Sequence, residues 1–286
     1  MNTAWIESGL SVRDQFLDQP VAVERAGFAR DPEGARQAIN AAVAKQTDGK
    51  ISDLLGPGVI GALTRLVLVN ALYLKARWQH EFPEQQTKTD NFYPERTSPT
   101  QVPMMRVSAR LAYHHGDDYQ AVLLPYRGGP LAMAIVLPDG PLSEFPLDHR
   151  GGVSGVLEGL LARPQYYQVD LRLPKFKVTS GFLLRDPLQS LGLTRAFSDE
   201  ADFSGITGQE PLQISQAVHR AYIDVDEHGT EAAAATAVVM RTLAAIRPPD
   251  RRVTFIADRP FMFAVVTTDA GLPLFLGQFT VPPRGA

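Results

Sequence analysis

The chain has 286 residues, of which 44% are hydrophobic and 21% charged, so the composition excludes global disorder. The 28 basic and 31 acidic residues give a formal net charge of -3, and no overall basic surface points to nucleic acid as a partner. There is no cysteine, which excludes disulfides, thiolate nucleophiles and thiolate-bound metals.

The first predicted element is a helix that begins at Asp31 and ends at Gly49. Asp31 can act as the N-cap, and Pro32 follows it at a position where no amide hydrogen is needed. Ile39 and Val43 are four residues apart and form the apolar face. Gly49 is the expected stop.

A strand is predicted over residues 65–74, because this segment is rich in apolar and β-branched residues on both faces. Asn70 lies in its middle, and a buried amide without partners costs about 1–3 kcal/mol, so we expect a buried polar cluster around it. Gly56, Gly58 and Gly61 match GxGxxG. In dinucleotide-binding loops a strand precedes and a helix follows; here the order is reversed, which predicts a plain loop.

The second half of the chain is predicted to consist mainly of strands. Alternating apolar residues from Val169 to Leu173 are interrupted at Pro174, which indicates a break or bulge. Further strands are predicted at 121–126, 132–138, 221–226, 253–258, 261–266 and 273–279, and short helices at 153–163 and 187–191. This pattern predicts an α+β fold with large antiparallel or mixed sheets.

No pattern typical of an enzyme occurs in the sequence. Ser154 lies one glycine short of the GxSxG nucleophile elbow, and no Asp and His partners follow it in hydrolase order. The adjacent His114 and His115 would point to opposite faces of a strand, and no further ligands accompany them. We therefore predict no catalytic residue, no metal site and no cofactor.

The most unusual segment, residues 226–252, follows a predicted strand directly. Gly229 provides a hinge, and the alanine-rich stretch after it fits a surface helix about as well as an extended chain. In an extended chain one face would carry only small side chains, so the segment could enter a sheet without steric collision. These small residues are Thr230, Ala232, Ala234 and Thr236.

This hinge, EHGTEAAAATA at 227–237, is similar to that of inhibitory serpins, and the resemblance to the serpin family extends over nearly the whole chain. Other family-like segments, in the expected order, are 66–78, 173–178, 202–206, 258–263 and 274–283. The resemblance implies an α+β serpin fold with a large mixed central sheet, additional antiparallel sheets, surface helices and a mobile reactive-centre loop within 226–252. It also implies a suicide-substrate inhibitor of serine, or cysteine, proteases: the cleaved loop inserts into the central sheet of a metastable fold.

The resemblance assigns roles to single residues. The hinge and inserting strand would comprise Glu227, Gly229, Thr230, Glu231, Ala232, Ala233, Ala234, Ala235 and Thr236. Thr230 would be the first side chain to enter the sheet. Asn70 and His219 match a hydrogen-bonded pair under the central strands. Trp78 matches the aromatic residue where insertion begins, and Lys175 with Glu227 matches a salt bridge near that point.

The scissile bond follows from the family's spacing of fourteen positions after the hinge glycine, which gives Leu243 followed by Ala244. A medium apolar residue there favours chymotrypsin-like, elastase-like or subtilisin-like targets. The loop is a few residues longer than usual on its far side. Arg241, suited to trypsin-like enzymes, and Ile246 therefore stay open as alternatives.

The resemblance begins at NTAWIESG, residues 2–9, which is similar to a central-sheet strand. We therefore expect one serpin domain of prokaryotic type over residues 1–286, truncated so that the N-terminal helical region is missing. A non-inhibitory carrier or chaperone and a non-functional remnant are the alternatives to an inhibitor. The small hinge residues favour the inhibitor, since non-inhibitory members tend to carry bulky or charged residues there.

The longest apolar stretch, residues 66–74, is far shorter than a membrane span, and the first residues lack the cationic start and apolar core of a signal peptide. We expect a monomer whose partner is the target protease, without nucleic acid or membrane. Both an extracellular and a cytoplasmic location stay open.

Overall fold

The computed structural model describes residues 1–95, 98–145, 152–230 and 251–282. The strands are β1 (Asn2–Glu7), β2 (Ala22–Ala26), β3 (Leu66–Tyr73), β4 (Ala76–Arg77), β5 (Lys88–Phe92), β6 (Thr100–His115), β7 (Tyr119–Pro125), β8 (Leu131–Pro138), β9 (Tyr166–Pro174), β10 (Phe176–Leu183), β11 (Gln216–Val225), β12 (Gly229–Thr230), β13 (Arg252–Ile256), β14 (Phe261–Thr267) and β15 (Pro273–Phe279). The helices are α1 (Asp14–Leu17), α2 (Pro32–Gln46), α3 (Val153–Leu161) and α4 (Arg185–Ser190).

These elements form two compact units. The first comprises Met1–Leu74 and Val178–Ile223, and the second comprises Lys75–Lys177 and Asp224–Ala286. The single domain over residues 1–286, with its loop at 226–252, stays a prediction.

In the first unit, β1 lies between β2, to which it is parallel, and β3, to which it is antiparallel. On its other side β3 pairs in parallel with β11, and β10 pairs with β11 as well. The two faces of β3 are covered unequally: Val67 and Val69 are buried in one apolar cluster, whereas on the other face Leu66 is buried and Leu68 and Leu72 are only partly buried. The predicted strand is therefore confirmed, but the expectation that both of its faces are covered holds fully for one face only.

The helix predicted from Asp31 is α2. The Asp31 carboxylate accepts a hydrogen bond from the Gly34 amide at 2.8 Å and caps the helix. Ile39 and Val43 are 0% exposed in the cluster that covers one face of the sheet, and burying each contributes about 1.5–3 kcal/mol. Gly49 follows the helix with φ of 77°, a conformation that favours glycine.

In the second unit, a sheet has the strand order β13, β9, β6, β7, β8, β14 and β15, and β5 pairs with part of β6. Neighbours are antiparallel except β13 and β9, which are parallel. Helix α3 packs on this sheet through Val156 and Leu160. The mixed sheets and short helices confirm the predicted α+β fold.

Several local predictions are also confirmed. Residues 51–65, which include the three spaced glycines, contain neither helix nor strand. The interruption at Pro174 separates β9 from β10, with Lys175 between them. Strand β6, which has 16 residues, was missed because its polar positions and internal Pro103 obscure the alternation.

Candidate functional site

Part of the predicted site lies outside the described residues. This part comprises Glu231, Ala232, Ala233, Ala234, Ala235, Thr236, Arg241, Leu243, Ala244 and Ile246. The structure does place the start of the hinge, with Trp78 and Lys175, in the second unit, and the pair Asn70 and His219 in the first.

The hinge begins with a tight turn between β11 and β12. The Asp226 amide donates to the Gly229 carbonyl at 3.0 Å. The Asp226 carboxylate accepts hydrogen bonds from the amides of His228 at 2.8 Å and Gly229 at 3.1 Å. This side chain satisfies the turn amides and directs the chain back, so that Thr230 pairs with Val225.

Gly229 is required by a close approach between backbones. It pairs with Arg77 of β4, and a Cβ at this position would lie 2.1 Å from the carbonyl oxygen of Ala76. Any other residue would force β12 and β4 apart. The hinge glycine predicted from the sequence thus has a steric reason in the structure.

Thr230 lies fully inside the sheet, which corrects the expectation that it enters only on insertion. It is 0% exposed and pairs with Val225 on one side and Ala76 on the other. Its Oγ1 lies 2.5 Å from the phenol oxygen of Tyr126. Backbone pairing on both sides and a buried hydroxyl partner together explain why the residue is already buried.

Trp78 and Tyr126 form the floor beneath the hinge turn. Trp78 is 1% exposed, and its ring stacks on Tyr126 with centroids 4.5 Å apart. The indole N–H donates to the Asp226 carbonyl at 2.9 Å, and the Trp78 amide donates to the His228 carbonyl at 2.9 Å. Burial raises the pKa of Tyr126 far above its usual range, although the bond with Thr230 opposes this, so the phenol stays neutral.

The Glu227 carboxylate is buried and fully paired. Oε2 lies 2.8 Å from Lys175 Nζ, and Oε1 accepts from the Thr87 hydroxyl at 2.8 Å. The Glu227 side chain is 9% exposed, whereas that of Lys175 is 40% exposed. Burial raises the pKa of Glu227, but the hydrogen bonds from Lys175 and Thr87 outweigh it, so the net pKa is lowered.

His228 connects the hinge to a second group of charges. Its Nε2 lies 2.9 Å from Glu84 Oε1, and its Nδ1 lies 3.6 Å from Glu81 Oε2. Glu81 also faces Arg77 at 3.2 Å and Arg127 at 3.5 Å. This group holds the hinge turn against the segment that follows β4.

The Asn70 and His219 pair joins adjacent strands of the first unit. His219 Nδ1 lies 2.5 Å from Asn70 Oδ1, and Asn70 Nδ2 donates to Asn2 Oδ1. An amide oxygen only accepts, so Nδ1 carries the proton. Phe182 stacks on the imidazole with an interplanar angle of 8°. Burial lowers the pKa of His219, which favours the neutral ring.

The polar cluster around Asn70 is half-buried, and this corrects the expectation of a buried one. The neighbouring Asn2 is exposed, and both Asn70 and His219 keep partial access to solvent. The amide still finds the partners that its position in β3 demands.

Four residues that contact the hinge were missed by the sequence reasoning: Glu81, Glu84, Thr87 and Tyr126. Each is polar or lies in a stretch with ordinary turn composition, and only the fold brings it near residues 226–230. Within the described ranges, no group of three or more His, Asp or Glu residues is placed to hold a metal. No helix of the described chain has the length and apolar character needed to cross a membrane.

Comparison with known sequences identifies relatives along the entire chain. A sequence model described as serpin (serine protease inhibitor) matches residues 1–282. An uncharacterized serpin-like protein of Thermococcus kodakarensis is 36% identical over 292 residues, which cover 100% of this chain and 66% of the relative. Leukocyte elastase inhibitor of Bos taurus is 38% identical over 262 residues, which cover 89% of this chain and 68% of the relative. The chain thus spans about two thirds of the length of these curated relatives.

Solved structures show the same fold. Serpin48 of the insect Tenebrio molitor, described as a highly specific serpin, matches with a TM-score of 0.83 and 32% identity, covering 99% of this chain and 75% of that one. Thyroxine-binding globulin in complex with thyroxine matches with a TM-score of 0.84 and 28% identity, with the same coverage. The family match across residues 1–282 and the shared fold show that this chain belongs to the serpin family.

Proposed function

We propose that this serpin is a suicide-substrate inhibitor of serine proteases, with cysteine proteases as a further target class. The observation that carries the proposal is the two-residue strand β12, which already pairs antiparallel with both β11 and β4. It provides a starting point from which a cleaved loop can extend the sheet, and strand addition of this kind supplies backbone hydrogen bonds on both sides.

Extension of β12 along β11 requires another pairing to be given up. β11 pairs in parallel with β3 over seven residue pairs, from Gln216 with Val67 to Tyr222 with Tyr73. The Asn70 and His219 hydrogen bond lies within this ladder. Insertion would replace one parallel pairing by two antiparallel ones, which are slightly more stable per residue. The proposed role of the pair is therefore to keep β3 and β11 together until insertion.

The outcome would be decided by a competition between two rates. The protease attacks the loop and forms an acyl-enzyme, to which the serpin contributes no catalytic residue. If insertion of the cleaved loop is faster than hydrolysis of the acyl-enzyme, the protease is trapped. The stored free energy of a metastable native fold drives this step.

We place the scissile bond between Leu243 and Ala244, with Arg241 and Ile246 as alternatives. Leu243 favours chymotrypsin-like, elastase-like or subtilisin-like enzymes. Mass spectrometry after brief digestion checks this placement. Cleavage confined to the bond after Arg241 or after Ile246 would overturn it.

A carrier function without inhibition is the second candidate, because thyroxine-binding globulin, named for the ligand in its complex, shares the fold. The hinge favours inhibition over this alternative. Gly229 and Thr230 are small enough to lie between two strands, whereas a bulky or charged residue at position 230 would be excluded from that space.

The test is incubation with chymotrypsin, pancreatic elastase and subtilisin, followed by denaturing gel electrophoresis. We expect a covalent complex with at least one protease, whose mass equals the sum of the protease and the serpin without its C-terminal fragment. Ala234→Arg, at a small residue of the inserting strand beyond Thr230, should yield mainly cleaved protein, since an unpaired charge that is buried on insertion costs several kcal/mol, about 3 or more. Ala234→Ser, which keeps a small uncharged side chain, is the matched control and should still form the complex. Cleavage of the wild type without any complex would refute the proposal.

A further inference from the structure

His228 has surroundings that the proposed function leaves unexplained. The imidazole lies between two carboxylates of the segment after β4, with Nε2 2.9 Å from Glu84 and Nδ1 3.6 Å from Glu81. Within the described chain, Nδ1 is shielded from solvent and has no hydrogen-bond partner. A ring nitrogen without a partner, facing a carboxylate, would gain an interaction if it carried a proton.

The other charges around His228 are accounted for. Arg77 of β4 and Arg127, which follows β7, both face Glu81 and keep its carboxylate compensated. On the hinge itself, the Asp226 carboxylate accepts backbone amides, and Glu227 is paired with Lys175. Glu84 is 70% exposed at its side chain and has His228 as its ion-pair partner.

We propose that His228 is a pH-responsive latch, which holds the hinge turn to Glu81 and Glu84 when its imidazole is protonated. The imidazolium has two N–H donors, one for each carboxylate, whereas the neutral ring has a single donor and would turn a lone pair toward the other carboxylate. Imidazole side chains change charge between about pH 5 and 8, while glutamates stay ionised through that interval. The hinge is therefore held more firmly at pH 6 than at pH 8.

The position of the latch gives it a mechanical role. The His228 carbonyl accepts the Trp78 amide, and the next two residues form β12. A tether at residue 228 keeps β12 paired with its neighbours. This role of the latch rests on the proposed inhibitor function. At acidic pH a firmly paired β12 would favour insertion of the loop over hydrolysis of the acyl-enzyme.

The experiment is hydrogen–deuterium exchange of the intact chain at pH 6 and pH 8, read by mass spectrometry and corrected for the intrinsic exchange rate. We expect peptides that cover residues 225–230 to be protected roughly two- to fivefold more at pH 6, as partly exposed ion pairs allow. His228→Gln should abolish the difference, and Glu84→Gln should reduce it. His228→Lys carries a permanent charge and should keep the protection high at both pH values. His115→Gln, at an exposed histidine in β6, is the matched control and should leave the difference intact.

Equal protection of the wild-type hinge at both pH values would overturn the latch, and so would a pH difference that persists in His228→Gln. Circular dichroism shows whether each variant folds. If His228→Gln does not fold, Glu84→Gln, at a more exposed side chain, tests the same interaction. No protease is needed for this measurement. A chain that inhibits no protease can therefore still show the pH difference in hinge protection. An inhibitor without the latch would show equal protection at both pH values.

Discussion

Two polar sites in the strands differ in how deeply they are buried: the hinge, and the pair formed by Asn70 and His219. At the hinge, Thr230 is 0% exposed and each oxygen of the Glu227 carboxylate has a partner. The pair in the first unit is half-buried and is completed by an exposed asparagine. Losing one partner at the hinge leaves a buried group without compensation, while solvent can replace a partner at the pair. Loss of a partner should therefore cost more free energy at the hinge than at the Asn70 and His219 pair.

The two sites also differ in how they should respond to acid. Burial lowers the pKa of His219, so protonation opposes the folded arrangement around Asn70. His228 lies between two carboxylates, so protonation adds interactions at the hinge. Acidification should therefore loosen one site and tighten the other.

The largest expected effect comes from charge reversal at the hinge. Glu227→Lys would place two ammonium groups together beside a buried strand and cost about 2–4 kcal/mol, less than a fully buried pair because Lys175 reaches solvent. We expect the variant to form polymers on mild warming, through loop-into-sheet addition between molecules, visible on native gels. The double variant Glu227→Lys with Lys175→Glu should restore the monomer. A single variant that stays monomeric would show that the pair does not restrain the sheet.

Removal of the buried hydroxyl contact should have the next largest effect. Tyr126→Phe leaves the Thr230 hydroxyl buried without a partner, which costs about 1–3 kcal/mol of the free energy of unfolding in urea titrations. Adding Thr230→Val removes the orphaned hydroxyl, so the double variant should be less unstable than the sum of the single variants predicts. Strict additivity would mean that the two hydroxyls do not interact in solution.

A smaller effect is expected for the half-buried pair. Asn70→Ala removes the acceptor of His219, but water can reach the imidazole, so the free energy of unfolding should fall by only about 0.5–1.5 kcal/mol. We expect a larger effect on the rate of spontaneous loop insertion, because the variant loses a contact between β3 and β11. Asn2→Ala is the matched control, since it removes a neighbour in the same polar group without touching the β3–β11 contact. A loss above that of Tyr126→Phe would reverse the contrast between the two sites.

The smallest effect concerns pH. A histidine whose pKa is lowered by folding contributes stability that is present above its unfolded value, about 6.5, and is lost as the pH falls through the folded value. Wild type should therefore lose a few tenths of a kcal/mol more than His219→Gln between pH 7.5 and 5.5, as expected for a partly exposed group. Parallel urea titrations of both proteins measure this difference. If the two proteins lose stability equally, protonation of His219 does not contribute to the pH dependence of folding.

Local patterns predicted much of the fold, and the reasons are visible in particular residues. The capped helix α2 and the apolar strand β3 follow from patterns within about ten residues of chain, which the sequence displays directly. The surroundings of the hinge depend on Thr87, Tyr126 and Glu81, which lie 100 or more residues before Thr230 in the chain. Long-range contacts of this kind leave no periodic signal. The family resemblance predicted the roles of Trp78, Lys175 and Glu227. It did not predict that Thr230 is already buried in the sheet before any insertion.

The position of Trp78 has an optical consequence. The chain contains two tryptophans, Trp5 in the apolar cluster of the first unit and Trp78 beneath the hinge turn of the second. Trp5→Phe would leave a single indole, which stacks on Tyr126 and donates to the Asp226 carbonyl. Both contacts influence the emission of Trp78. Movement of the hinge turn away from the indole would therefore change the emission wavelength and the fluorescence lifetime. The native fold thus carries its own chromophore for following the hinge in real time, without an added dye.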